Sequence, residues 1–201
     1  MGLLGMRLFL IRHGATEWSA TGQHTGRTDL PLTSEGLAQL GPLAHELRAM
    51  VANEFDSLVA YSSPLARALV TARSVMGDTH DLRIDANLVE FNYGDYEGLT
   101  SEQIREVHPG WDLWRDGCPN GENVEDAGRR ADAFLALLEN GPEVVVTFAH
   151  AHISRIIAAR AVGLAPRDGE IFNLDTATVS VIGDVRGKRV VQHWNVEPRS
   201  N

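Results

Sequence analysis

A chain of 201 residues, 43% hydrophobic and 22% charged, suffices for one well-buried domain over 1–201 and lacks the bias of a disordered or repeat protein. Its formal net charge of −9 argues against nucleic-acid and anionic-membrane partners, because a diffuse negative field repels polyanions. No apolar run reaches the length of a membrane span, and the single cysteine, Cys118, excludes an internal disulfide and fits a reducing, cytoplasmic setting. A small anionic substrate stays open, since a pair of arginines in a cleft outweighs a surface charge screened over about 10 Å.

In chain order, the apolar N-terminus Met1 to Ile11 reads as a first strand rather than a secretory leader, since it carries only Arg7 and no small-residue cleavage pattern. It ends in Arg12-His13-Gly14, and a Gly- and Thr-rich loop follows from Gly14 to Leu32. Thr33 or Ser34 is an N-cap for a helix striped by Leu37, Leu40, Ala44, Leu47 and Val51, in which Pro42 predicts a kink or a later start. A second strand over 57–62 leads through Pro64 into a helix carrying Leu65, Arg67, Ala68, Leu69 and Ala72, and Leu82 to Leu88 reads as a short strand. Residues 89–99 form a loop of acids, aromatics and glycine. Thr100 with Gln103 is a capping box for a short helix. The stretch 109–123, with Trp111 and Trp114 among Pro and Gly, reads as an excursion suited to cover a pocket. An amphipathic helix from Val124 ends at Asn140-Gly141. A third strand, 143–149, delivers His150, a helix spans Ile153 to Val162, and 178–182 with 189–193 close as a strand pair across a turn at 184–187. The alternation predicts an α/β fold, a three-layer α/β/α sandwich with a mostly parallel central sheet.

Ligands of such sheets sit at the carboxyl ends of the strands, so Arg12, His13, Arg67 and His150 are expected at one edge. Two guanidiniums and two imidazoles suit a phosphoryl group. The arginines can grip oxygens in bidentate fashion, neutral His13 can attack phosphorus, and a protonated His150 adds a further positive contact. A proton donor completes the set; Glu90, Asp95 and Glu97 all lie in the aromatic loop.

Leu10-Ile11-Arg12-His13-Gly14-Ala15-Thr16-Glu17-Trp18 resembles the signature of the histidine phosphatase superfamily, the phosphoglycerate-mutase-like proteins. The resemblance continues through Thr25-Gly26, Leu32-Thr33-Ser34-Glu35-Gly36, Ser62-Ser63-Pro64-Leu65-Ala66-Arg67-Ala68, Glu90 before Tyr93-Gly94-Asp95-Tyr96-Glu97-Gly98, and His150. It implies a phosphohistidine on His13, Glu90 as proton shuttle, and Arg12, Arg67 and His150 on the phosphoryl oxygens. Ser19 and Thr25 fall at further phosphate or substrate contacts, Ser19 where many members have asparagine. It also implies a small phosphorylated metabolite as substrate and no cofactor, and is compatible with a homodimer.

Two departures stand out. Ala151 follows His150 where glycine is usual, and Glu90-Phe91-Asn92-Tyr93-Gly94 replaces the Glu-Arg-His-Tyr-Gly of the mutase branch. The second favours a phosphatase over a bisphosphoglycerate-dependent phosphoglycerate mutase. Two other readings remain: a non-catalytic phospho-ligand sensor with its pocket spoiled by Ala151, and a metal-dependent hydrolase using His150 and His152 as alternate strand residues. The bottom-up expectation for His152 is an ordinary partly buried residue opening a helix, and for His24 a surface or packing residue. Arg115 and Glu122 are candidates to touch the alcohol part of a substrate. Cys118 has Val124 six positions on, which rules out a cysteine-based phosphate loop.

Overall fold

In the computed structural model, which describes residues 5–199 apart from Thr79 and Asn140, six strands form one sheet in the order β3-β2-β4-β1-β5-β6. The strands are β1 (Arg7–Arg12), β2 (Val59–Ser62), β3 (Leu82–Ile84), β4 (Val144–Ala149), β5 (Val179–Val185) and β6 (Lys188–Val196). The four strands from β3 to β1 are parallel; on the far side of β1, β5 runs antiparallel to β1 and β6 antiparallel to β5. All six residues of β4, Val-Val-Val-Thr-Phe-Ala, are buried, as a parallel strand covered on both faces requires.

The helices are α1 (Glu17–Thr21), α2 (Ser34–Ala38), α3 (Leu40–Val51), α4 (Ala66–Met76), α5 (Ser101–Val107), α6 (Leu113–Asp116), α7 (Val124–Leu137) and α8 (Ala151–Ala161). Strand alternation sorts them into two layers. Leu8 and Leu10 of β1 join Ala127, Ala131 and Phe134 of α7 and Ile153, Ile156 and Ile157 of α8 in one core. Phe9 and Ile11 join Leu43 and Leu47 of α3 and Ala72 and Val75 of α4 in the other. The sandwich and its mostly parallel sheet are those read from the sequence.

Three local readings change. The helix predicted across 34–51 is divided at Gln39, because Pro42 has no N–H to donate to the carbonyl of Ala38. Thr33 is its cap, accepting from the N–H of Gly36. The strand predicted to run to Leu88 stops at Ile84: the Asp85 carboxylate takes the N–H of Asn87 at 2.7 Å and turns 86–88 into a 3₁₀ turn. The amphipathic helix from Val124 closes at Leu137; of the stop read at Asn140-Gly141, Asn140 lies outside the described residues.

Register sets up the site. Arg12 pairs with Ala149 and Ser62 with Phe148, so β1, β4 and β2 end side by side. Beyond the strands, His13 N–H donates to Ala149 O and Ser63 N–H to Phe148 O, which carries the alignment into the loops.

Candidate active site

Past these strand ends lies a cavity of about 260 Å³, lined among others by Arg12, His13, Ser19, Thr25 and Glu90. His13 is 4% exposed, and its Nδ1 lies 2.7 Å from the carbonyl oxygen of Gly14. A carbonyl only accepts, so Nδ1 carries the proton and Nε2 keeps its lone pair. Burial, then the charges of Arg12 and Arg67, hold this imidazole well below the usual histidine value of 6.5. Arg12 donates through Nη1 to Leu174 O at 2.7 Å, while its buried Nε has no acceptor among the described residues. An oxyanion in the cavity would satisfy it.

Arg67 is held differently from the bidentate grip expected of it. It is 0% exposed, with Nη1 donating to Thr28 O and Nη2 to Thr25 O and Gly26 O at 2.9 to 3.0 Å. Its Nε donates to Nδ1 of His150 at 3.1 Å. A guanidinium has no lone pair, so His150 accepts at Nδ1 and donates from Nε2 to Ser63 Oγ at 2.8 Å. Burial and the charges of Arg67 and His13 push the His150 pKa well down. The cation expected at His150 is therefore replaced by a neutral donor, and the positive charge there is that of Arg67. The ring centroids of His13 and His150 lie 5.1 Å apart, edge to face, but the fully buried His150 and Arg67 stand behind the cavity and do not line it. Gly26 is required in the clamp around Arg67, since a Cβ there would meet Phe91 O at 2.5 Å.

Glu90 is 3% exposed. Its Oε1 accepts from the N–H of Phe91 at 2.8 Å and of Ile153 at 3.0 Å, and its Oε2 from the N–H of His152 at 3.1 Å. His150, the N-cap of α8, makes no side-chain cap bond, so Glu90 supplies the cap from another segment. That segment is fixed by Arg130, whose Nη1 donates to Asn87 O and Val89 O while Glu122 pairs with the rest of the guanidinium. Ser19 lines the cavity, but its hydroxyl closes the capping box of α1 with Thr16. Thr25 donates its hydroxyl to Gln23 O at 3.1 Å.

Several expectations are relocated. Glu122 serves Arg130 and the N–H of Asn92, and Arg115 is paired with Asp116 at the surface; neither lines the cavity. No residue of 100–123 lines it either. Trp111 is core, donating to Gly117 O, while Trp114 stands behind the wall, 4.5 Å from the Arg155 guanidinium. Ala151 is the first residue of α8 with no positive φ, so its methyl meets no strain. His150 and His152 are N-cap and second helical residue, not alternate strand positions, and their Nδ1 atoms face Arg67 and Tyr93. Among the described residues no group of three or more His, Cys, Asp and Glu could hold a metal. The cavity also recruits His24, Tyr93, His152, Arg155, Asn173 and Asp175, which the residue-by-residue reading missed. Tyr93 lay in a motif of the family resemblance and His152 in the pair weighed as a metal site; the rest come from separate segments that only the fold gathers.

These groups make the protein sensitive to acid. His13, His24, His150 and His152 are all lowered from 6.5 by burial, His24 to about 4. Below 6.5 the unfolded chain binds protons that the folded chain refuses, so stability falls as pH drops, by up to about 1.4 kcal/mol per unit for each such group. Thermal denaturation is expected to show Tm falling from about pH 7 to about pH 5. A flat Tm over that window would contradict the neutral, buried state of these rings.

Parallel strand ends that gather an unprotonated imidazole, a partly unsatisfied guanidinium, a second imidazole and a carboxyl define a phosphoryl-transfer enzyme. The sequence pattern of the histidine phosphatase superfamily (branch 1) matches residues 8–197, and the chain belongs to that superfamily. An acid phosphatase of Mycobacterium tuberculosis is 41% identical over 191 residues, covering 94% of this chain and 92% of its own. The sedoheptulose 1,7-bisphosphatase of Saccharomyces cerevisiae is 33% identical over 190 residues, 82% of this chain and 70% of the yeast protein. A solved structure of an open reading frame of Mycobacterium tuberculosis superposes with a TM-score of 0.85 at 35% identity, covering 96% of this chain and 99% of that one. The chain is a histidine-type phosphatase, an enzyme that hydrolyses phosphate esters.

Proposed function

We propose that the chain is a phosphomonoesterase for small phosphorylated metabolites, working in two steps through a phosphohistidine on His13. Nε2 of His13 forms the N–P bond as the P–O bond to the alcohol breaks, and Glu90 delivers its proton to the departing oxygen. Water then attacks phosphorus, the N–P bond breaks, and Glu90 takes the proton of the water. Arg12 grips the phosphoryl oxygens, His150 donates to them once its Nε2–H leaves Ser63, and Arg67 adds charge from behind. Ser19 and Thr25 border the same oxyanion.

The observation that carries this reading is the Nδ1 contact of His13 with Gly14 O, which aims an unprotonated Nε2 at the cavity. With its pKa held down, His13 stays nucleophilic on the acid side of neutrality. Rapid acid-free quenching of the enzyme with ³²P-labelled substrate is expected to trap an alkali-stable, acid-labile phosphoryl group on His13. Turnover with label never found on His13 would overturn the route.

A phosphoglycerate mutase is less favoured, because the fully buried Phe91 and the turn-forming Asn92 stand where that branch places an arginine and a histidine. The unstrained backbone of Ala151 removes the argument for a disabled sensor. The reading takes a single catalytic domain in a reducing, cytoplasmic compartment, in keeping with the free, buried Cys118.

A further inference from the structure

The cavity has a second wall that the phosphoryl chemistry leaves unused. His152 lines it, with Nδ1 2.7 Å from the hydroxyl of Tyr93. Among the described residues that phenol has no other hydrogen-bond partner, and burial keeps it protonated. Donation to Nδ1 is the arrangement that gives the phenolic hydrogen an acceptor among the described residues; Nδ1 then accepts, and the single proton of the neutral ring sits on Nε2. Nε2 bonds no protein atom among the described residues, yet it is not one of the buried, unpartnered atoms; it opens to the cavity. Trp114 at 5.4 Å and His24 at 6.2 Å pack the ring in this pose.

The backbone of the same residue holds the proton donor, because His152 N–H donates to Oε2 of Glu90. Glu90 and His152 line the same cavity, so an alcohol whose ester oxygen meets Glu90 occupies the space that the His152 ring borders. Asn173 and Asp175 continue the wall with further polar groups, so the space beyond the phosphate is shaped for hydroxyls.

We propose that His152, oriented by Tyr93, is a specificity-determining residue whose Nε2–H donates to a hydroxyl on the carbon next to the ester carbon, selecting polyol and sugar phosphates over deoxy and alkyl phosphates. This rests on the phosphatase mechanism above.

The test is the ratio of kcat/KM for glycerol 1-phosphate to that for propyl phosphate, with p-nitrophenyl phosphate reporting the chemistry itself. Wild type is expected to favour the hydroxylated ester about tenfold or more, since its analogue leaves the donor unpaired. His152→Ala and Tyr93→Phe should bring the ratio toward one, and His152→Gln, which retains an N–H donor, should keep part of it. If His152→Ala does not fold, Tyr93→Phe and His152→Gln carry the comparison. A wild-type ratio near one, or a ratio unmoved by the folded variants while p-nitrophenyl phosphate is hydrolysed, overturns the inference alone. Failure of wild type to hydrolyse even p-nitrophenyl phosphate overturns the phosphatase reading and the inference with it.

Discussion

His13→Ala is expected to lower kcat for every phosphomonoester by about 10⁴-fold or more, the scale on which loss of a nucleophile falls. No neighbour can substitute. The Nδ1 of His150 is bound by the Arg67 guanidinium, and that of His152 by the Tyr93 phenol. The fold should survive, because among the described residues the His13 ring makes a single hydrogen bond, to the carbonyl of the next residue, while its backbone link to Ala149 remains. The variant should also still bind inorganic phosphate, since Arg12 keeps its unsatisfied Nε. The decisive measurement is steady-state kcat on p-nitrophenyl phosphate beside a phosphate titration. A variant with retained turnover would remove His13 from the covalent step.

Glu90→Gln is expected to divide substrates by leaving group. For alkyl phosphates, whose alkoxide must be protonated as it leaves, kcat should fall by about 10³-fold, within the range for a lost general acid. For p-nitrophenyl phosphate, whose phenolate leaves unaided, phosphorylation of His13 should be nearly unaffected, and any loss should lie in dephosphorylation, where water needs its base. Glutamine is the informative replacement. Alanine would strand the N–H groups of Phe91, His152 and Ile153, at about 1–3 kcal/mol for each buried donor left unpaired. Equal losses for both substrates in pre-steady-state measurements would take Glu90 out of the donor role.

How much of this could be read from the sequence follows from the range of each interaction. The strand cores were legible because Leu8 to Ile11 is an uninterrupted apolar run and Val144 to Ala149 one broken only by the β-branched Thr147, and the caps at Thr33 and Thr100 because capping is local. The break at Gln39 was foreshadowed by the missing donor at Pro42, whereas the end of β3 was misplaced because it turns on one added acceptor at Asp85. In the site, Arg12, His13, Arg67 and His150 announced themselves by type and setting, while Glu90 was set apart from Asp95 and Glu97 by the family resemblance alone. Their working states did not. The enclosure of Arg67 depends on three carbonyls of a loop 39 to 42 residues away along the chain, and the neutrality of His150 depends on Arg67. His152 was discounted because neither its free Nε2 nor its tie to Tyr93, 59 residues distant, can be seen in a linear pattern.

The short junction between β4 and α8 has an evolutionary consequence. His150 and the N–H groups of His152 and Ile153 that Glu90 caps fall within a single turn there, and every one of Ile153, Ile156 and Ile157 is fully buried. One inserted residue would rotate the helix by about 100°, turning those isoleucines to solvent and pointing the amide donors away from the carboxylate. Insertions and deletions should thus be purged from this joint, while the connections bordering the mouth of the cavity remain free to lengthen. Diversification toward new alcohols has to proceed by remodelling that rim, around a hinge point whose length cannot drift.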